Sequence, residues 1–308
     1  MRILVIGAGA LGGYFGTRLL AAGRDVTFLV RPKRAAALAK GGLTVKSKLG
    51  DLHLPAPPTV TADRLSQPFD IIILSCKAYD LDEAMQSFAP AVGKDTIIIP
   101  LLNGLRHVDL LTARFGAEKV FGGQCAISAT LSPGGEILHL NDLHTLTFGP
   151  QSKEPKKYAE IAKTLSDAGF VAQPSDNIMQ EMWEKWVFIA TGAGSTCLMR
   201  ASVGDMVNAD ATDLVLALFE ECTAIAVKKG FEPRPAFVEW ARTAFTTRGS
   251  PLMASMLRDI EKGAPTEGDH ILGDMLSRGG VAAPRSFLGA AYAHVKAYEA
   301  RRARETAA

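Results

Sequence analysis

Cysteine is scarce in this 308-residue chain: the four residues, Cys76, Cys125, Cys197 and Cys222, lie far apart and never in C-x-x-C spacing. Neither a zinc site nor a disulfide framework is expected, and a reducing, cytoplasmic setting fits such usage. Charge imbalance is missing too. Lys and Arg number 34 against 32 Asp and Glu, a net +2, which argues against a nucleic-acid polymer or a membrane surface as partner. No stretch approaches the roughly 18 uninterrupted apolar residues that span a bilayer. The apolar run after Arg2 is broken by Gly7 and Gly9 before it reaches the length of a signal-peptide core. Short-period repeats and low-complexity tracts are absent. The six histidines, His53, His107, His139, His144, His270 and His294, show no metal-ligand spacing, so no metal is expected. What is present, 47% hydrophobic and 21% charged residues, is the composition of a soluble globular protein long enough for two domains.

The chain opens with a short β-branched apolar run, Ile3 to Ile6, too short for a buried helix and suited to a buried strand. Gly7, Ala8, Gly9, Ala10, Leu11 and Gly12 follow with G-x-G-x-x-G-type spacing, then a helix over Leu11 to Ala22 and a second strand over Asp25 to Val30. In a βαβ unit of this kind Gly7 permits the tight turn, Gly9 lets the backbone approach a pyrophosphate, and Gly12 lets the helix pack on the strand. The helix N-terminus offers free N–H groups and a positive dipole end to that anion. Other glycine-loop α/β proteins, such as methyltransferases, share the local pattern. Beyond the second strand, where an NAD site usually carries Asp or Glu, this chain has Arg31, then Lys33 and Arg34. Cations there suit a 2′-phosphate, so NADP is the expected cofactor; a solvated basic helix start is the plainer alternative.

Further on, Leu43 to Ser47 and Asp51 to Pro55 alternate about a Lys48 to Gly50 turn, as an edge hairpin would. APPTVTA reads as connection. Ile71 to Leu74 and Ile97 to Ile99 are apolar on both faces and read as central parallel strands. Their carboxyl ends deliver Ser75, Cys76 and Lys77, and then Asn103, to the rim where such sheets bind ligands. Lys119 to Ser128, GEILHL and HTLTFG read as three more strands, and a helix from about Lys153 to Ala168 with a short strand, FVAQ, closes the first domain. From Asn177 helical periodicity dominates, with breaks at Gly192 to Gly194, Gly230 to Pro235, Gly249 to Pro251, Gly263 to Pro265 and Gly279 to Pro284. The reading is therefore α/β: a doubly wound, Rossmann-type sheet over residues 1–176 and an all-α domain of six or so helices over residues 177–308.

Within the helical part, Met182, Trp183, Trp186, Val187, Ile189 and Ala190 project onto one apolar face, with Lys185 at its edge and Glu181 and Glu184 on the polar side. A snorkelling flank lysine is the local reading. Ser250 next to Pro251 is a plausible helix start. Thr266 and Glu267 look like an N-cap and a first-turn acid of the next helix.

Taken together and in order, GAGALG, Arg31 after the second strand, SCKAY, LLNG, MWEKW, SMLRDI and PTEGDHILG resemble the ketopantoate reductase (2-dehydropantoate 2-reductase) family over essentially the whole chain. The resemblance implies an N-terminal Rossmann domain, a helical C-terminal domain and NADPH-dependent reduction in the cleft between them. It assigns Lys185 as proton donor, Glu267 as a substrate-binding carboxylate that also orients the lysine, and Asn103 as an active-site asparagine near nicotinamide and substrate. Ser255 becomes a substrate-carboxylate contact. Gly7 to Gly12, Arg31, Lys77, Asn103 and Glu267 become the cofactor contacts. A lysine ammonium can stabilise and then protonate the oxygen on which charge develops during hydride addition to a ketone.

Where the family presents asparagines one and two turns beyond the lysine, this chain has Ile189 and Ala193. Residues at i and i+4 share a helix face, so an apolar wall is expected beside Lys185. Ketopantoate reduction in pantothenate and coenzyme A biosynthesis is the leading expectation. A paralogous reductase for a more apolar 2-oxo acid and a non-catalytic NADP-binding regulator are the alternatives. His270, three residues after Glu267, is a further candidate for lining the pocket. Tyr292, Val295 and Tyr298 on the amphipathic C-terminal helix are candidates for a homodimer contact.

Overall fold

The computed structural model describes residues 1–152, 157–280 and 286–307. Its contacts divide the chain into two compact units, Met1–Leu102 with His107–Met179, and Asn103–Arg106 with Gln180–Ala308.

The first unit runs β1 (Arg2–Ile6), α1 (Ala10–Ala21), β2 (Asp25–Leu29), α2 (Pro32–Gly41), β3 (Leu43–Lys46), β4 (Leu52–Leu54), β5 (Thr59–Val60), β6 (Phe69–Leu74), α3 (Leu81–Phe88), β7 (Val92–Pro100), α4 (Arg106–Phe115), β8 (Phe121–Leu131), β9 (Ile137–Pro150), α5 (Tyr158–Leu165) and β10 (Val171–Pro174). One sheet is parallel throughout, in the order β5-β2-β1-β6-β7. Its central strands are buried on both faces, which is why they read as unbroken apolar runs. The second sheet runs β10-β9-β3-β4, with β8 antiparallel to β9.

Helix α1 explains why the two sheets share one core. Every residue from Gly12 to Leu19 is buried, and Tyr14, Phe15 and Leu19 pack with Val5 and Phe28 of the first sheet and with Ile137 and Phe148 of the second. A methyl group at Gly13 would lie 2.4 Å from Ile137 Cδ1, and one at Gly16 would lie 2.5 Å from Phe28 Cε1. The helix therefore needs a missing side chain toward each sheet.

Several expectations shift here. The Leu43 to Pro55 hairpin forms, but it belongs to the second sheet through β3 and β9. Thr59 and Val60, read as connection, add a short edge strand to β2. GEILHL and HTLTFG are one strand, because nothing between them is a breaker and the Asn141 side chain accepts the Ser128 N–H at the irregularity in the β8–β9 pairing. Lys153, the expected start of the closing helix, lies outside the described residues, and the helix ends at Leu165.

The second unit contains α6 (Ile178–Met199), α7 (Val203–Asn208), α8 (Thr212–Lys228), α9 (Pro235–Thr246), α10 (Ser255–Glu261), a π-helical turn (Asp269–Gly273), α11 (Asp274–Gly279) and α12 (Phe287–Ala307). No break occurs at Gly192 to Gly194. Helix α6 runs through, and a methyl group at Gly194 would meet Leu218 Cδ2 of α8 at 2.8 Å, so this glycine serves close helix approach. Ser250 starts no helix; α10 begins at Ser255. The expected break from Gly279 to Pro284 falls partly outside the described residues.

Glu184 is not on a polar face. It is 3% exposed and is gripped by Arg234, the N-cap residue of α9, whose backbone N–H reaches Glu184 Oε1 at 2.8 Å while its guanidinium spans both carboxylate oxygens. Burial opposes the charge, but the hydrogen bonds from Arg234 and from Gln180 outweigh it and hold the Glu184 carboxyl below its ordinary range. Of the residues considered for a dimer contact, Val295 is fully buried, the Tyr292 hydroxyl donates to Asp269 at 2.7 Å and the Tyr298 hydroxyl to the Ala264 carbonyl at 2.8 Å. Tyr292 and Tyr298 remain half-buried. Among the described residues no helix is long and apolar enough to cross a membrane.

The α1 packing gives a paired test. Gly16→Ala should lower the thermal unfolding midpoint, because overpacking of about 1–3 kcal/mol outweighs the better helix propensity of alanine. Gly41→Ala, where an added methyl group meets nothing within 4 Å, should leave the midpoint unchanged or raise it. Calorimetry on both variants reads the two signs.

Candidate functional site

In the first unit the carboxyl ends of β1, β2 and β6 lie side by side, with Ile6 in register with Leu29 and with Leu74. The chain leaves β1 through Gly7 at φ +89°, a conformation that favours glycine, and the Gly7 N–H donates to the Leu29 carbonyl at 2.9 Å. Ser75, from the end of β6, donates its hydroxyl to the Ile6 carbonyl at 2.8 Å. A methyl group on Gly12 would fall 2.2 Å from Ser75 Oγ and 2.5 Å from the Gly7 carbonyl oxygen, so this glycine keeps helix, loop and strand in contact.

Gly9 is the opposite case: an added methyl group would meet nothing within 4 Å, and the loop presents its backbone to open space. No side chain caps α1, and its first turn carries no acid. Its N–H groups and positive dipole end are thus arranged for an anion, as a dinucleotide pyrophosphate requires. Ala8 is buried, Ala10 and Leu11 are half-buried, and the part-buried Arg34 donates to the Ala8 carbonyl at 3.1 Å.

Arg31 is the N-cap residue of α2, immediately beyond β2, and its guanidinium is exposed. It is not surrounded by cations alone. Nη2 bonds Asp80 Oδ1 at 2.9 Å and also Glu83 Oε2, and Nε bonds Glu83 Oε1 at 3.3 Å. Hydrogen bonds to Asp80 and then Glu83 hold the Arg31 proton more tightly than usual. Lys77 is exposed at the start of the 3-10 turn Ala78–Asp80.

In the second unit Lys185 sits half-buried on α6, next to Trp186, which is fully buried. The Trp186 indole N–H donates to the Ile271 carbonyl at 3.0 Å, which seats α6 on the π-helical turn. Glu267, half-buried, opens that turn, its carbonyl accepting the N–H groups of His270 at 3.1 Å and Ile271 at 2.9 Å. The third segment is Asn103–Arg106. Asn103 is half-buried, and its backbone is hydrogen-bonded to the His270 imidazole. A methyl group on Gly104 would lie 3.0 Å from the His270 carbonyl oxygen and 3.6 Å from Trp186 Nε1. The segments carrying Asn103, Lys185 and Glu267 therefore meet through their immediate neighbours.

Ser255 is exposed at the first position of α10. It is tied to α6 farther along, where the Ala254 N–H donates to Thr196 Oγ1 at 3.4 Å. Ile189 is half-buried and Ala193 buried on α6. Thr266 does act on the start of its turn, accepting the Gly268 N–H at 3.2 Å. The residues that join the segments, Trp186, His270, Thr196 and Gly104, were not singled out for that role. The usable signal was the indole N–H, which when buried requires an acceptor.

The fold is that of a nicotinamide-dinucleotide-dependent oxidoreductase. The ketopantoate reductase PanE/ApbA family matches residues 3–153, and its C-terminal part matches residues 177–299. The chain is 36% identical over 305 residues to an uncharacterized oxidoreductase, YkpB, of Bacillus subtilis, covering 97% of this chain and 99% of the relative. It is 28% identical over 281 residues to a 2-dehydropantoate 2-reductase of Archaeoglobus fulgidus, covering 90% of each. A crystal structure of 2-dehydropantoate 2-reductase from Geobacter metallireducens superposes with a TM-score of 0.86 at 27% identity, covering 96% of this chain and 99% of that one. The chain belongs to the ketopantoate reductase family, whose members use NADP(H), and it is an oxidoreductase of the 2-oxo acid reductase kind.

His270 gives the site a pH signature. It is 5% exposed, and burial, helped by the charges of Arg106 and Arg278 against the pull of Glu267 and Asn103, pushes its pKa down to about 4. The unfolded chain therefore takes up a proton near pH 6.5 that the folded chain refuses until about pH 4. Stability is full above about pH 6.5 and falls by about 3 kcal/mol as the pH drops towards 4. Urea unfolding across this range should show that slope, and His270→Gln should remove the larger share of it, leaving the smaller shares of His144 and His294, which burial also lowers.

Proposed function

We propose that the chain is an NADPH-dependent 2-oxo acid reductase whose substrate is 2-dehydropantoate, reduced to pantoate on the route to pantothenate and coenzyme A. Residues 1–176 hold the dinucleotide and residues 177–308 bring substrate-handling groups. The observation that carries the reading is the 3.0 Å bond from Trp186 to Ile271, because it sets the helix of Lys185 on the turn opened by Glu267, and His270 in that same turn holds the Asn103 backbone.

When held by this site, NADPH would supply the hydride that reduces the 2-oxo carbon. As electrons move onto the ketone oxygen, the Lys185 ammonium stabilises the growing charge and transfers its proton, yielding the 2-hydroxy acid; the amine then regains a proton from solvent. Glu267 holds the ammonium in line and accepts the product hydroxyl. Asn103 provides an amide that fixes a carbonyl without adding charge, and Ser255 contacts the substrate carboxylate. Gly7 to Gly12 take the pyrophosphate, with Arg31 and Lys77 on the cofactor side.

A second reading rests on α6 itself. Ile189 and Ala193 give the substrate side of Lys185 apolar neighbours in place of hydrogen-bonding ones, and a site without polar partners discriminates poorly in favour of a hydroxylated acid. A more apolar 2-oxo acid is the substrate class this favours.

Two measurements test these readings. Lys185→Ala should lower kcat by about a hundredfold or more while leaving NADPH affinity unchanged; unchanged turnover would remove the mechanism and leave a nucleotide-binding protein. The second is a panel of 2-oxo acids scored by kcat/KM from loss of dihydronicotinamide absorbance. 2-Dehydropantoate should lead it, and turnover no better than that of branched-chain 2-oxo acids would transfer the assignment to the second reading.

A further inference from the structure

The end of β2, where ribose-selecting residues stand in dinucleotide folds, carries no acid in this sequence. The fold supplies two from elsewhere. Strands β2 and β6 flank β1, and the segment after β6 brings Asp80 and Glu83 to Arg31 beside the glycine loop. We infer that Asp80 and Glu83 are specificity-determining residues that counterbalance Arg31 and bring the affinities for NADPH and NADH closer together. The inference rests on the proposed nucleotide site and concerns the ribose 2′ position alone.

The argument is one of donors and charge. A guanidinium has five N–H donors. Here Nε and Nη2 are committed to carboxylates, and Nη1 has no partner among the described residues. Within this trio one cation stands with two anions, so Asp80 and Glu83 offset the attraction that Arg31 and Lys77 exert on an incoming 2′-phosphate. Arg31 still offers the phosphate one edge, while either carboxylate can accept a bond from the neutral 2′-hydroxyl of NADH, as the acid of NAD-type sites does. With the Arg31 and Glu83 side chains 64% and 62% exposed, solvent screens the effect, and each carboxylate contributes a modest factor.

Direct binding of NADPH and NADH, read by nicotinamide fluorescence without any 2-oxo acid, tests this. Glu83→Gln should tighten NADPH about threefold, and the double variant with Asp80→Asn about tenfold, with NADH changed less than about twofold. Arg31→Ala should weaken NADPH by more than about tenfold and leave NADH nearly unchanged. The same ranking should appear for adenosine 2′,5′-bisphosphate against adenosine 5′-monophosphate, which isolates the 2′ group from the reacting ring. An unchanged NADPH-to-NADH ratio in the Glu83 and Asp80 variants, or weaker NADPH binding, would overturn the inference and leave the acids as props for Arg31. Wild-type protein that binds neither dinucleotide would instead overturn the nucleotide site beneath it.

Discussion

Everything in the first unit hangs on a helix with no free side. Helix α1 is buried from Gly12 to Leu19, with one sheet against each flank, so its radius limits how closely the sheets approach. Gly13 and Gly16 remove the side chains that would hold Ile137 and Phe28 away. The same close approach fixes the N-terminus of the helix against β1, and that end is the anion-ready part of the molecule. Core packing and ligand geometry are therefore one constraint: widening the core would retract the loop from its place at the rim.

Strand and loop at the chain start were legible because burial on both faces of a parallel sheet writes itself as an apolar run, and a tight turn writes itself as glycine. Later errors have the same origin, since glycine has two uses. At Gly7 it bends the chain, whereas at Gly194 it lets α6 and α8 touch, and spacing alone does not separate a hinge from a contact. GEILHL and HTLTFG read as two strands, yet one long strand takes in Asn141 and Asp142 between them at a pairing irregularity.

Charged groups were the least legible part. Helical projection put Glu184 in solvent because it weighs only its own helix, and the Arg234 that buries it arrives from fifty residues away. Arg31 looked like an unopposed cation for a similar reason, its acids coming from beyond β6. In both places the partner is non-local, and no periodicity within one element reports it. The Lys185 and Glu267 motifs were found through family resemblance; local pattern alone also allowed a snorkelling lysine and a first-turn acid. What chain order did not convey was the set of bridging groups, an indole, an imidazole and a hydroxyl, that make neighbours of distant segments.

Four residues, Asn103–Arg106, leave the strand-rich half of the sequence and are counted with the helical unit. A recombinant made by cutting at the apparent seam near residue 176 and joining the tail of one relative to the head of another would import a foreign 103–106 loop against a native His270 and Trp186. Modular exchange of substrate preference among such reductases thus has three crossover points rather than one, and the short insert has to travel with the tail.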